Sequence, residues 1–503
     1  MASLQFKQVS FSYDAASDGL FSHIGFGVSE GWTGVIGANG AGKTTLLHLA
    51  CGLLSPKSGA VHRPPSIVYC PQRTDSPMDE FSAFLDSFDG EAYRLRGQLG
   101  IEEDWLDRWQ TLSHGERKRA QIGTCLWMTP DLMAVDEPTN HLDRAAKRRV
   151  EEALRTFRGI GLLVSHDRDL LDSLCRHCLF VSPPSVQLRS GGYSTAMWEL
   201  EQEAQLAREA RTKARQQRIR LQREAAERRD HVRKAEKKKS LRGVAPRDHD
   251  ARAKARVARI ADGRSGKQLR QIEGRIRQAR EAEASIDVVP TSEPGIRVNG
   301  STSSRNTLLL ETAGSLPLGS GRSLAYPDLV MQPSDRIALT GPNGYGKSTL
   351  VRHLVSSLSL ADDYYAYIPQ EIPAEKAKLI LGQARKLSGD RLGRTMAWVR
   401  QLGSPPERLL ESALPSPGEV RKLLLALRLA GDLHLIVMDE PTNHMDLPSI
   451  ECVESALRDF PGALLLVSHD QRFLSSLTNV DWSIKTAGTD GRQAVLSVHQ
   501  RHP

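Results

Sequence analysis

The sequence predicts an α/β protein of two tandem domains joined by a long, basic, helical-hairpin linker. Three observations carry this expectation. Five short motifs recur in one order in the two halves of the 503-residue chain. Apolar runs ending in Gly or in carboxylates alternate with helix-like stretches. Positive charge gathers in one segment: residues 201–280 hold 26 Lys and Arg against 11 Asp and Glu, a balance of +15 in a chain of net charge +8. The two flanking halves are therefore slightly acidic, and the excess reads as an arm for a polyanion.

The repeat is the strongest signal, because a missed repeat misassigns the whole fold. GANGAGKTT (37–45) pairs with GPNGYGKST (341–349), and YCPQ (69–72) with YIPQ (367–370). SHGERKRAQIG (113–123) pairs with SPGEVRKLLLA (416–426), and VDEPTNHLD (135–143) with MDEPTNHMD (438–446). LLVSHD occurs at 162–167 and again at 465–470. TGVIG (33–37), RIALTG (336–341), DLMAVDE (131–137) and HLIVMDE (434–440) read as short buried strands. Buried strands alternating with helices indicate a parallel sheet covered on both faces.

The boundaries expected are 1–198 for the first domain, 199–289 for the linker and 290–503 for the second domain. The linker opens with a run rich in Ala, Glu, Arg, Gln and Lys, without Gly or Pro, that favours helix. Gly243 and Pro246 break it. A second helical stretch then returns, and VVPTSEPG (288–295) leads out. An antiparallel pair with a basic tip near 240–266 is the expected shape.

Composition excludes several classes. No run approaches the roughly 18–20 apolar residues of a membrane span. The start, MASLQFKQVSFSYD, does not read as a secretory signal. Six cysteines in this length make no disulfide framework. The closest pair, Cys175 and Cys178, lacks a second pair at zinc-site spacing.

Gly37-x-x-x-x-Gly42-Lys43-Thr44 and Gly341-x-x-x-x-Gly346-Lys347-Ser348 are P-loops. Their glycines, with Gly40 and Gly344, let backbone N–H groups turn inward on phosphates, and the next helix adds partial positive charge. Asn39, Thr45, Asn343 and Thr349 complete the two loops. Lys43 and Lys347 should reach the β/γ-phosphates, and Thr44 and Ser348 should hold Mg²⁺. Asp136 and Asp439 end a second strand, where they can hold the same ion. Glu137 and Glu440 can polarise the attacking water. Neighbouring strand residues point to opposite faces, so the chain must re-aim each glutamate, and Pro138 and Pro441 are the expected break. His166 and His469 are placed for the γ-phosphate side, and Gln72 and Gln370 for sensing Mg²⁺ and the water. Tyr13 stands in front of the first P-loop as an aromatic that could stack on a flat ring, whereas TAGSLPLGSG (312–321) offers no matching aromatic.

This set of motifs resembles the ATP-binding cassette family over nearly the whole of both halves, in the order Walker A, Q-loop, signature, Walker B, D-loop, H-loop. The resemblance implies two P-loop ATP-binding cassette domains, paired head to tail within a monomer around two ATP molecules, and an ATP hydrolase. It implies that Ser113, Gly115 and Glu116 cap the ATP on the second P-loop, and Ser416, Gly418 and Glu419 the ATP on the first. Asp143 and Asp446 of the D-loops would cross the same interface. LSHGE in the first copy and Pro415 before the second signature depart from the family pattern, but the Ser-x-Gly-Glu core remains.

EPTNHLD and EPTNHMD, without a membrane span, resemble the ABC-F class. That resemblance implies a cytoplasmic ATPase that binds the ribosomal E site. Its linker would reach P-site tRNA and the peptidyl-transferase centre. A Lys/Arg-rich tip suits rRNA contact by shape and phosphate. About 40 residues between Gln72 and Ser113 leave no room for an inserted arm, and no long extension follows the second His motif. That compactness resembles antibiotic ribosome-protection members more than housekeeping translation factors. Two other readings stay open on residues alone: a subunit energising a membrane transporter, and a DNA-associated cassette ATPase.

Overall fold

The computed structural model describes residues 3–13, 19–140, 142–238, 270–286, 298–319, 321–404, 406, 409, 416–443, 445–487 and 493–500. The expected linker tip near 240–266, its Gly243 and Pro246 break, the exit segment 288–295 and Pro415 lie outside them. Contacts group the chain into two units: Met1–Ala196 with Pro294–Pro503, and Met197–Glu293.

In the first half of the larger unit, β1 (Leu4–Phe11), β2 (Phe21–Val28), β3 (Gly31–Ile36), β4 (Ser58–His62) and β5 (Ile67–Cys70) come first. They are followed by β6 (Leu132–Asp136), β7 (Ile160–Val164), β8 (Cys175–Ser182) and β9 (Ser185–Ser190). One sheet runs β5-β6-β7-β3-β8-β9, parallel as far as β8 and closed by an antiparallel β9. Every residue of β6 and β7 is buried, as befits central strands covered on both faces. Leu46, Leu47 and Leu49 of the helix Lys43–Cys51 join the core that holds Val35, Ala134 and Leu162. Cys175 and Cys178 are buried on β8 as free thiols.

The second half repeats the plan. It comprises β10 (Leu309–Glu311), β11 (Gly314–Gly319), β12 (Arg322–Tyr326), β13 (Leu329–Met331) and β14 (Arg336–Thr340). Then come β15 (Tyr365–Ile368), β16 (Leu435–Asp439), β17 (Ala463–Val467), β18 (Val480–Ala487) and β19 (Gln493–Gln500). The order β18-β14-β17-β16-β15 is parallel and mirrors the first sheet.

The structure adds what the strand reading lacked: antiparallel pairing in each half. β2-β1-β4 forms a separate antiparallel sheet, and β10 pairs antiparallel with β13. The cause is visible in β1, where Leu4, Phe6, Val9 and Phe11 are buried while Gln5 and Lys7 are exposed. A strand wet on one face suits an antiparallel sheet.

The smaller unit is helical. Its long helix belongs to Tyr193–Lys238, which at 1.5 Å per residue spans roughly 70 Å. Residues 270–285 form a second helix. Arg218 meets Glu283 at 2.6 Å and Arg229 meets Glu273 at 2.6 Å. Partner numbers fall along one helix as they rise along the other, so the two run antiparallel. Leu221, Ala225 and Ile272 are buried, and the ionic residues ring them.

Candidate nucleotide sites

Each P-loop lies between a central strand and a helix whose first turn has no side-chain cap. The N-cap residues Gly42 and Gly346 have φ of 92° and 90°, a left-handed backbone that favours glycine. A Cβ on Gly346 would stand 2.5 Å from Leu318 Cδ2, so space as well as backbone requires glycine there. The uncapped N–H groups at the start of each helix are free to face an anion. Lys43 Nζ donates to Gly37 O at 2.8 Å and Ala38 O at 3.0 Å. Lys347 Nζ donates to Gly341 O, Pro342 O and Asn343 Oδ1 at 2.9, 3.0 and 3.2 Å. Burial pulls both lysines below their ordinary pKa. A bound polyphosphate would supply the missing counter-charge.

The carboxylates stand opposite. Thr44 Oγ1 donates to Asp136 Oδ2 at 2.8 Å, and the Tyr69 hydroxyl approaches the same oxygen at 3.5 Å. Ser348 bonds Asp439 and lies 3.4 Å from Gln370 Oε1. Gln72 is exposed on the loop after β5.

Glu137 and Glu440 have φ of 49° and 50°. The break therefore falls on the glutamates themselves, one residue before the expected Pro138 and Pro441. Such a backbone costs about 1–2 kcal/mol in a residue with a Cβ. It is held by Glu137 N donating to Val164 O at 2.9 Å and Glu440 N to Val467 O at 2.8 Å. The left-handed turn places each glutamate beside its histidine. His166 Nε2 lies 3.1 Å from Glu137 Oε1, and His469 Nε2 lies 3.4 Å from Glu440 Oε1 and 2.9 Å from Asn343 Oδ1.

Burial dominates the electrostatics. It pushes Glu137 up to about 8, assisted by the Asp136 charge, and Glu440 up to about 7 against the pull of Lys347. Burial, then the nearby lysine, drives His166 and His469 down to about 3, so both rings are neutral at physiological pH. A neutral imidazole and a buried carboxyl, side by side, can hold a water and take its proton.

At the second P-loop these groups enclose a cavity of about 320 Å³, lined by Asn343, Lys347, Ser348, Thr349, Gln370 and Glu440 among others. Asp439 Oδ1 and both Glu440 carboxyl oxygens are buried without a hydrogen-bond partner among the described residues. Orphaned oxygens, a buried lysine and an uncapped helix end fit a Mg²⁺–nucleotide. Tyr13 is exposed beside the first P-loop, with its hydroxyl 2.6 Å from Thr45 Oγ1.

The two signature segments are capping boxes. Ser113 accepts from Glu116 N at 3.3 Å while Glu116 Oε2 accepts from Ser113 N at 2.7 Å, and Ser416 and Glu419 repeat the pattern. Gly115 and Gly418 lie in the first turns of these helices. Ser113, Gly115 and Glu116 are not among the residues lining the second P-loop cavity.

The D-loops do meet the opposite half. Asp446 Oδ2 accepts from Asn39 N of the first P-loop at 2.6 Å. Asp143 caps its own helix through Ala146 N, at 2.9 Å, and lines a cavity of about 430 Å³ with Gly341, Pro342 and His469. Around them Arg168 pairs with Glu454 at 2.9 Å, and Arg472 with Asp172 at 2.7 Å.

Sequence reasoning missed four residues at these sites. Leu318 and Asn443 line the second cavity, and the former occupies the TAGSLPLGSG stretch read only as lacking an aromatic. Lys118 and Arg421 sit behind the carboxylates. Their signal was a cation at one position in both repeats, masked because charge on a helix usually means a solvated face.

Comparison with known proteins agrees with this architecture. The family described as ABC transporter matches residues 21–140 and 325–443. Among the described residues no helix is long and apolar enough to cross a membrane. Two such modules in one chain define a tandem-cassette ATPase, an enzyme that hydrolyses ATP to ADP and phosphate. The chain carries two ATP-binding cassette modules, and its relatives include resistance and ribosome-protection ATP-binding proteins, in keeping with its resemblance to the ABC-F class. It is 26% identical over 505 residues to the ribosome protection protein VmlR of Bacillus subtilis (strain 168), covering 95% of this chain and 86% of that one. It is 29% identical over 546 residues to the tylosin resistance ATP-binding protein TlrC of Streptomyces fradiae, covering 94% and 96%. The solved structure of RNase-L Inhibitor superposes with a TM-score of 0.61 at 19% identity, over 97% of this chain and 90% of that one, a likeness of fold.

Proposed function

We propose that this ATPase acts on the ribosome in the cytoplasm, as an antibiotic ribosome-protection protein or a translation factor. In its ATP-closed form it would occupy the E site as a monomer, with the linker acting on P-site tRNA or the peptidyl-transferase centre. Hydrolysis would release it. ATP favours the closed form by binding it more tightly, which shifts the population. The observation that carries the reading is the basic antiparallel helix pair between two cassettes, in a chain alignable nearly end to end with a named ribosome-protection protein. Sedimentation with ribosomes under different nucleotides tests it.

Within each site we assign the P-loop residues, with Lys43 and Lys347, to the phosphates. Thr44, Gln72 and Asp136, and Ser348, Gln370 and Asp439, are assigned to Mg²⁺, which would neutralise charge on the β- and γ-phosphate oxygens. Glu137 and Glu440 orient the attacking water, with His166 and His469 beside it. Tyr13 stacks on the first adenine. Ser113, Gly115 and Glu116, and Ser416, Gly418 and Glu419, cap the nucleotide on the opposite P-loop once the cassettes close.

These assignments set a pH dependence. The free enzyme governs kcat/KM, and its glutamates titrate at about 8 and about 7. A base must be ionised to accept a proton, so kcat/KM rises from pH 6 to pH 8.5. The histidines, at about 3, contribute no limb in that range. A profile flat across it would remove the glutamates from the base role.

A further inference from the structure

A buried cation stands at the same place in both halves, five residues after the serine that caps the signature helix. Lys118 is fully buried on the helix His114–Trp127. Arg421 is buried on Pro417–Leu429. Burying a cation is costly unless its protons are bonded. Here main-chain carbonyls receive those of Lys118 Nζ and of the two terminal nitrogens of Arg421, while Arg421 Nε is left without a partner among the described residues. Lys118 Nζ donates to Pro71 O at 2.6 Å and Asp136 O at 3.0 Å. Arg421 donates to Asp439 O at 2.8 Å, to Glu440 O and to Gln370 O at 3.2 Å.

The identity of these carbonyls gives the contacts meaning. Pro71 O belongs to the peptide group that enters Gln72, and Asp136 O to the one that enters Glu137. Asp439 O and Glu440 O belong to the peptide groups on either side of Glu440. Glu137 and Glu440 are the residues held in a left-handed backbone, a conformation that persists only where the surroundings over-determine it. One side chain in each half thus joins three parts: the signature helix, the Q-loop and the peptide that sets the glutamate's aim. Arg421 grips Glu440 from both sides, whereas Lys118 grips Glu137 from one.

We propose that Lys118 and Arg421 are positioning residues for ATP hydrolysis, locking the Q-loop and the glutamate to the helix that the signature serine caps. The proposal rests on the assignment of Glu137 and Glu440 as the residues that orient water. ATP binding, which uses the P-loop, does not need this lock, but turnover does.

The test uses the full-length protein with Lys118→Met and Arg421→Met together, each replaced singly, and Lys118→Arg and Arg421→Lys as conservative partners. Binding of a fluorescent ATP analogue and steady-state ATPase kinetics are read in parallel. The double methionine variant should bind nucleotide within about threefold of the parent while kcat falls by at least about tenfold, since small displacements of reacting groups cost rate more than affinity. The conservative variants should regain most of kcat. Arg117→Met, which removes a cation on the same helix bonded to Trp109 O and Gln110 O, should leave kcat unchanged. A parent-like kcat in the folded double variant would overturn the proposal. So would affinity and kcat falling together without recovery in the conservative variants, the mark of a purely structural role. Should the methionine variants not fold, Lys118→Gln and Arg421→Gln carry the same expectation, and a parent-like kcat in them is equally contrary. Failure of the glutamate assignment shows separately, as turnover that survives Glu137→Gln and Glu440→Gln.

Discussion

Replacing Glu137 and Glu440 together by Gln leaves ATP binding intact and lowers turnover by about 10²–10⁴-fold, the usual contribution of a positioned general base. The geometry explains why the loss should be large and confined to kcat. Both carboxyls are buried and sit beside a neutral imidazole. Glutamine preserves shape and hydrogen bonding but cannot take a proton. Binding should even tighten, because removing a group that can become a buried anion removes repulsion with the phosphates. The bound state should accumulate with the cassettes closed. ATPase assays with nucleotide-binding measurements check this, and a parent-like rate would take both residues out of the mechanism.

Deleting residues 240–266 should abolish rescue of drug-inhibited translation while leaving ribosome-free ATPase activity within about twofold, since sites without shared partners act nearly independently. The cassette sites are built from residues 13–166 and 318–469, so none of the deleted residues belongs to them. The deleted segment holds 7 Lys and Arg against 3 Asp and Glu, so it removes positive charge from the linker. Cell-free translation with a peptidyl-transferase-directed drug reads the rescue, and phosphate release reads the ATPase. Rescue that persists would move the effector away from the tip.

Much of this molecule was legible in the chain. The glycines of the P-loops announce a backbone that must turn inward, and φ near 90° at Gly42 and Gly346 is that requirement met. Strands ending in Asp136 and Asp439 were readable because five consecutive apolar or carboxylate residues leave no wet face. The helical character of Tyr193–Lys238 and of residues 270–285 was readable from their composition. Other features depend on three-dimensional closure. The left-handed turn at Glu137 and Glu440 gives no local sign, since glutamate rarely adopts it and Pro138 draws attention one residue too late. Lys118 reads as a solvated charge until β5 and β6 bring two carbonyls to its end. The D-loop contact from Asp446 to Asn39 joins residues 407 apart, beyond any local pattern.

The central claim is that ATP closure creates the ribosome-binding form. The measurement that tests it most directly is ribosome pelleting of the Glu137→Gln/Glu440→Gln protein with ATP, with ADP and without nucleotide. The account predicts pelleting with ATP and little with ADP or none, weakening steeply as salt rises because the linker neutralises phosphates. Absence from the pellet under every nucleotide, with ATP demonstrably bound, would contradict it.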